Sequence, residues 1–291
     1  VRGETVLFTA PAPLCSGGPC IHRVAASFSG NALQEITVPD QLGMWGRDST
    51  RSYYAPQSNT EIRTCDDDKC GIGTILSALN HFNGPLPAMG KLFALGAGTS
   101  HLLRFDLDAE GRPTGTATPL LMMETYGQGG PHMMFAKAGT NRAYFTTYGA
   151  DGCLYDEDLS QMPASPVACA ATLPSGNGPV ALAVDPLGVP YVVGIQAGPV
   201  YAMLQQTLEP LGQSPLVRPP IAADDRFVYV RSGLDGASDG LLVLDRTSGD
   251  QVHKLLDAPI TSIDAGHPDF VFFTVGAPAD ASAIHRWRKP P

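Results

Sequence analysis

Apolar and polar positions along the chain form a repeating unit, not one long periodic stretch. An apolar run carrying an aromatic is followed by a polar or glycine-bearing turn and a second apolar run. The unit occurs seven times: VLFTA with CIHRVA, SYYAP with TEIRTC, KLFAL with HLLRFD, AYFTT with CLYDED, PYVVG with PVYAML, FVYVR with GLLVLD, and FVFFT with AIHRWR. Anchored at Phe8, Tyr54, Phe93, Phe145, Val192, Tyr229 and Phe273, the spacings are 46, 39, 52, 47, 37 and 44 residues. Runs rich in β-branched and aromatic residues suit a pleated strand. The period matches the roughly 40–50 residues of a four-stranded propeller blade. Such a blade cannot bury its own faces, whereas a closed ring of blades can.

Further strands fit between these hairpins. Met133–Ala136, Val180–Val184, Ile221–Ala223 and Ile260–Ile263 read as innermost strands, each leading through a polar turn (AGTN, DPLG, DD, AGHPD) into the next hairpin. Leu33–Val38, Gly115–Met122 and Gln251–Leu256 read as outer strands. No stretch makes a persuasive amphipathic helix; Thr74–His81 fits a short helical turn or an outer strand equally well. The first hairpin lacks an inner strand before it, and the last lacks an outer strand after it. The expectation is an all-β protein, a propeller of mostly four-stranded antiparallel blades spanning residues 1–291 as one domain. Seven blades are expected, with a six-bladed ring sharing a closing blade as the alternative. The 32 Gly and 26 Pro residues are spread along the chain as turn punctuation, as this architecture requires.

The segments HLLRFDLDAEG (101–111), GLLVLDRTSG (240–249) and CIHRVAAS (20–27) resemble bacterial secreted β-propellers of the NHL/TolB-like kind, in which a strand such as VYFT meets a turn and a strand like GxIxRVxLDG. The resemblance runs through the whole chain as a rhythm, degenerate in each repeat, and implies fold. It implies no activity, because propellers host binding modules, scaffolds, hydrolases, lyases and oxidoreductases alike.

Composition narrows the surroundings. With a formal net charge of −9, the surface is poorly suited to nucleic acid or an anionic membrane. No apolar run approaches the ~18–20 residues of a membrane helix, so no membrane insertion is expected. Val1 leads straight toward a strand-like Val6-Leu7-Phe8, so any signal peptide is expected to have been removed or never included. Only 5 of 19 basic residues are Lys, a bias that suits a GC-rich bacterial genome. The six cysteines fall into three sequence-local pairs, Cys15 with Cys20, Cys65 with Cys70, and Cys153 with Cys169. Each pair can sit at a hairpin, where neighbouring strands bring Cα atoms within bridging distance. Three local disulfides are expected, and with them a secreted, periplasmic or cell-surface location. Reduced buried thiols are the bland alternative.

Candidate chemistry is sparse. Residues at the entrance of inner strands line a propeller's central funnel, its default ligand site. Here these are Gln41, Trp45, His132, Arg218 and Asp264, a mix able to hold a small polar or anionic ligand. Met122–Met134 places two Met pairs beside His132, and His132 with Met133 is a weak soft-metal candidate, although Met is ordinary core filler. Asp66 and Asp68 in CDDDKC are weak cation candidates, but adjacent carboxylates on a tight turn splay apart. Asp156 to Asp158, after Tyr155, reads the same way, as a solvated hairpin tip. No cofactor is expected beyond a possible divalent cation. No G-x-S-x-G elbow, H-E-x-x-H or P-loop is present. His22 and His285 occupy equivalent repeat positions, and His81, His101, His253 and His267 have no evident partner. Tyr53, Tyr126, Tyr148 and Trp287 could stack on sugars if exposed, although burial is the commoner fate of single aromatics. The expected function is a non-enzymatic extracytoplasmic binding or scaffold module for a protein or glycan. The alternatives are a propeller hydrolase or lyase with a polar substrate in the funnel, and a structural subunit of a surface assembly.

Overall fold

In the computed structural model, the described residues are the strands given below with the turns at 108–112 and Gly90, and residues 178–290 except 195, 206, 234–238, 256–257 and 276–282. Side chains are described for most of that last stretch, for 103–114, 142–146 and 153–156, and at scattered core positions elsewhere.

Among the described residues, the strands group into seven antiparallel sheets in chain order. The first holds β1 (Thr5–Ala10), β2 (Cys20–Ala25) and β3 (Gln34–Thr37). The second holds β4 (Leu42–Arg47), β5 (Ser52–Pro56), β6 (Glu61–Cys65) and the two-residue β7 (Thr74–Ile75). The third holds β8 (Phe82–Ala88), β9 (Lys91–Gly96), β10 (His101–Leu107) and β11 (Pro113–Met122). The fourth holds β12 (Pro131–Ala136), β13 (Arg142–Thr147), β14 (Cys153–Asp158) and β15 (Pro166–Cys169). The fifth holds β16 (Pro179–Val184), β17 (Pro190–Gly194), β18 (Tyr201–Leu204) and β19 (Thr207–Pro210). The sixth holds β20 (Val217–Ala223), β21 (Phe227–Ser232), β22 (Leu241–Asp245) and β23 (Gln251–Lys254). The seventh holds β24 (Ile260–Asp264), β25 (Phe270–Val275) and β26 (Ala283–Arg288).

Each sheet is a meander, with strands paired in sequence order. The strands β4, β8, β12, β16, β20 and β24 lie successively side by side, and they form the inner layer. Burial falls outward within a sheet: β17 is buried at all five positions and β21 at five of six, while β23 is exposed at all four. This is why the central hairpins read as nearly continuous apolar runs. The core is divided between sheet interfaces. Tyr53, Ile62, Leu92, Leu103 and Phe105 pack the second sheet on the third. Tyr144, Leu154, Leu182, Val192 and Tyr201 join the fourth and fifth. Val180, Val193, Val217, Val228 and Leu242 join the fifth and sixth. Tyr229, Leu241, Val243, Val271 and Phe273 join the sixth and seventh.

The four inner strands read from sequence are present, and so are the three outer ones, within a few residues of their expected bounds. The inner strand β8 escaped the sequence reading. Its Pro85 and Pro87 argue against a paired strand, and the ladder accommodates them with a register shift between Asn83 and Leu86. Of Thr74–His81, Thr74 and Ile75 pair with β6, and the rest lies outside the described residues. The acidic run at 156–158 is corrected. It belongs to strand β14, where Tyr155 is fully buried against Phe145, the rings stacked at 4.6 Å. Charge suggested a solvated tip; on a strand, alternation sends successive side chains to opposite faces. Tyr53 is fully buried, so it offers no stacking surface.

Candidate functional site

The residues expected at the funnel are distributed as follows. Trp45 stands on β4 opposite Tyr54, and His132 is the second residue of β12. Arg218 is the second residue of β20 and Asp264 the last of β24, so these two occupy opposite ends of neighbouring inner strands. One Asp264 oxygen accepts the Gly266 amide at 2.8 Å, closing the turn into β25. Gln41, Asp66, Asp68, Cys15 and Cys70 lie outside the described residues, as do the side chains of Trp45, His132 and Met133. Among the described residues, no three His, Cys, Asp or Glu side chains gather as a metal set. Cys153 is disulfide-bonded, and Cys169 is its cross-strand partner in the ladder.

The ends of the inner strands carry a device that the sequence reading missed. Asp185, just after β16, accepts the Val189 amide at 2.8 Å, the Tyr191 hydroxyl at 3.3 Å and the Arg246 guanidinium at 2.5 Å. Asp224, just after β20, accepts the amides of Arg226 and Phe227 at 2.9 and 2.8 Å. Its other oxygen takes the Tyr229 hydroxyl and the Lys289 ammonium, both at 2.7 Å. The cation comes from the following sheet both times, Arg246 after β22 and Lys289 after β26. Each buried aspartate is thus closed from its own sheet by a tyrosine and from the next by a cation. Burial, and then Asp185, pushes the Tyr191 hydroxyl up to about 12. Burial and Asp224 likewise raise Tyr229. For Asp224 burial favours the protonated acid, but Lys289 and the donated hydrogen bonds outweigh it and hold the carboxyl below its ordinary value. The available signal was an aspartate ending an inner strand with a tyrosine five or six positions on; the cation is remote in sequence.

A cleft of about 420 Å³ opens between the fourth and fifth sheets. One wall is Arg142 and Tyr144 from β13 with Asp156 from β14; the other is the β16–β17 turn with Met203 and Gln205. Arg142 donates to Asp156 at 2.6 Å, and the Asp156 side chain is only 4% exposed. The Tyr144 hydroxyl donates to the Gly188 carbonyl at 3.3 Å and ties the two sheets together. Leu187, on the cleft's lip, is 66% exposed. Gln205 adopts a φ of 49° in the turn between β18 and β19. A non-glycine residue in this region costs about 1 kcal/mol, and such strain concentrates at ligand clamps. The cleft offers an apolar lip, an ion pair on its wall and an amide side chain carried on a left-handed backbone. That combination suits capture of an extended chain bearing one apolar anchor. Sequence reasoning had no access to it, because its residues come from two repeats and from several separate turns and strands.

His267, unpartnered in the sequence reading, is 2% exposed; its Nδ1 accepts the Asp269 amide at 3.0 Å, and its ring packs on Phe270 and Phe272. No helix among the described residues is long and apolar enough to cross a membrane.

No protein-family profile matches the chain, and no curated protein matches it in sequence. Solved structures do. Puromycin hydrolase superposes with a TM-score of 0.72 at 12% identity, over 99% of this chain and 51% of the hydrolase, so the chain spans about half of that protein's length. YCF48 bound to D1 peptide matches with a TM-score of 0.63 at 14% identity, over 86% of this chain and 82% of the other. The Cps50 (Swd1) β-propeller domain of Myceliophteria thermophila matches with a TM-score of 0.65 at 11% identity, over 93% and 91%. At such identities the likeness speaks for architecture alone, and with the run of meander sheets it shows that this chain folds as a β-propeller.

Proposed function

We propose that this propeller is an extracytoplasmic, non-enzymatic module that recognises a protein partner through the cleft between its fourth and fifth sheets. The observation that carries the reading is Leu187, an exposed apolar side chain beside a pocket holding a fixed ion pair and a strained Gln205. Large apolar side chains exposed at a concave site mark interaction surfaces. A propeller of similar architecture, YCF48, has been seen with a peptide, which supports a protein ligand over a glycan. The extracytoplasmic placement rests on the three local cysteine pairs. A thiol titration of the folded protein tests it: six free thiols would remove its basis.

The binding reading is tested by selecting random peptides on the immobilised protein and measuring the winners in solution. Enriched peptides should share an apolar anchor, and Leu187→Asp should weaken them about tenfold or more without moving the unfolding midpoint. If no peptide is sensitive to Leu187→Asp, the cleft is not the recognition site. Glycans that bind and lose affinity in the same variant would replace protein with sugar as the ligand.

A further inference from the structure

The walls of the cleft between the fourth and fifth sheets define what an anchor placed there would touch. On the fourth sheet, Arg142 donates through Nε to a carboxylate oxygen of Asp156 at 2.6 Å and through an Nη to the Asp156 carbonyl at 3.1 Å. Two bonds to one residue fix the plane of the guanidinium. The Asp156 side chain is almost completely covered, while that of Arg142, its further contacts included, keeps 40% exposure and lines the cleft. What the cleft meets of this ion pair is therefore the guanidinium and not the carboxylate. Asp158 stands opposite Arg142 in the β13–β14 ladder, so this wall sets two carboxylates against one cation. The charge of Arg142 is already matched, which removes the pull on an acidic ligand. The opposite wall, with Leu187, Pro190 and Met203, brings no charge.

Each of these groups favours a flat, polarisable ring. A guanidinium held in plane attracts the face of an aromatic and stacks on it. The Met203 thioether gains more from contact with a ring than from an aliphatic chain. Leu187, 66% exposed, supplies apolar cover from the lip. Size agrees: a cavity of about 150 Å³ already takes a benzene ring, and the cleft holds about 420 Å³, room for a ring and the backbone that carries it. We propose that the cleft binds an aromatic side chain of its partner, the ring stacked on the Arg142 guanidinium and covered by Leu187 and Met203. This rests on the cleft being the recognition site, and it narrows the apolar anchor of that reading to Phe, Tyr or Trp.

The test uses the full chain with isotope-labelled methionine methyls, read by NMR, and four probes: the N-acetyl amides of tryptophan, phenylalanine, cyclohexylalanine and leucine. Cyclohexylalanine has the outline of phenylalanine and more apolar character but no π face. The Met203 methyl signal is identified by its loss in Met203→Leu. The tryptophan and phenylalanine probes should shift it through their ring currents. Phenylalanine should bind about two- to fivefold more tightly than cyclohexylalanine, against the order of their apolar character. Arg142→Leu/Asp156→Asn removes both charges together, so neither is left buried alone, and it should reverse the order of those two probes. If that variant does not fold, Arg142→Lys, which keeps the ion pair and removes the plane, should lose most of the preference. Cyclohexylalanine binding the wild type as tightly as phenylalanine, no response at Met203, or a phenylalanine preference that survives the substitution overturns the proposal. Selected peptides that lose affinity in Leu187→Asp but carry Leu or Ile as anchor would keep the cleft as recognition site and refute the aromatic anchor. Peptides indifferent to Leu187→Asp would refute both.

Discussion

Asp224 gathers the Arg226 and Phe227 amides, the Tyr229 hydroxyl and the Lys289 ammonium on one carboxylate. Replacing it with Ala would leave the buried Tyr229 hydroxyl without its acceptor and the Lys289 ammonium without its countercharge, held only by the Ala265 carbonyl at 2.9 Å, and should lower the free energy of unfolding by about 3–5 kcal/mol in a urea titration. Asp224→Asn keeps the shape and isolates the charge. The folded protein holds this carboxyl below its ordinary 3.8, so its charge stabilises the fold fully above that value and progressively less as pH falls through the depressed one. Near neutral pH the Asn variant should be the less stable. The two unfolding curves should converge in strong acid, where wild-type Asp224 is protonated too. At this scale the sequence was least legible. Asp224 was visible only as part of a turn, and Lys289 lies 65 positions away. Asp156 was misread because its partner Arg142 sits on a neighbouring strand.

Among elements, turns decide more than strands. The loop after β19 and the turn between β22 and β23 press together so closely that glycine is required on both sides. A Cβ on Gly249, at φ 75°, would lie 1.9 Å from the Leu211 carbonyl oxygen, and one on Gly212 would lie 1.6 Å from that of Ser248. Gly249→Ala should therefore cost about 3 kcal/mol or more, far beyond a propensity effect, and lower the melting temperature by several degrees. Gln205 is the opposite case. Its left-handed conformation is filled by the wrong residue for stability, so Gln205→Gly should raise the unfolding free energy by about 1 kcal/mol and weaken cleft-binding peptides. Central hairpins were readable from sequence because burial on both faces writes an apolar run. The strand β8 was not, since its prolines signal a break that a register shift absorbs, and β7 is too short to carry a pattern.

At the level of the whole molecule, the architecture was legible because it repeats. Seven copies of one hairpin pattern, each too small to bury itself, leave a ring of stacked sheets as the economical solution. The functional surfaces were not legible for the same reason. The cleft and the clasps lie between repeats, where residues far apart in sequence meet. With the core divided among sheet interfaces, Tyr144→Phe should act locally. Loss of its bond to Gly188 should cost about 1 kcal/mol and increase amide exchange in the fourth and fifth sheets, leaving the sixth and seventh unchanged.

The clasps also have a direction. Asp185 is held by a cation from the sheet made after it, and so is Asp224. During synthesis, then, a newly completed sheet holds a buried acid with no countercharge until the ribosome has delivered most of the next. While the fifth or the sixth sheet is the youngest, the growing protein carries an unfastened seam at that end. A chain cut short just before Lys289 would keep that seam open in its sixth sheet.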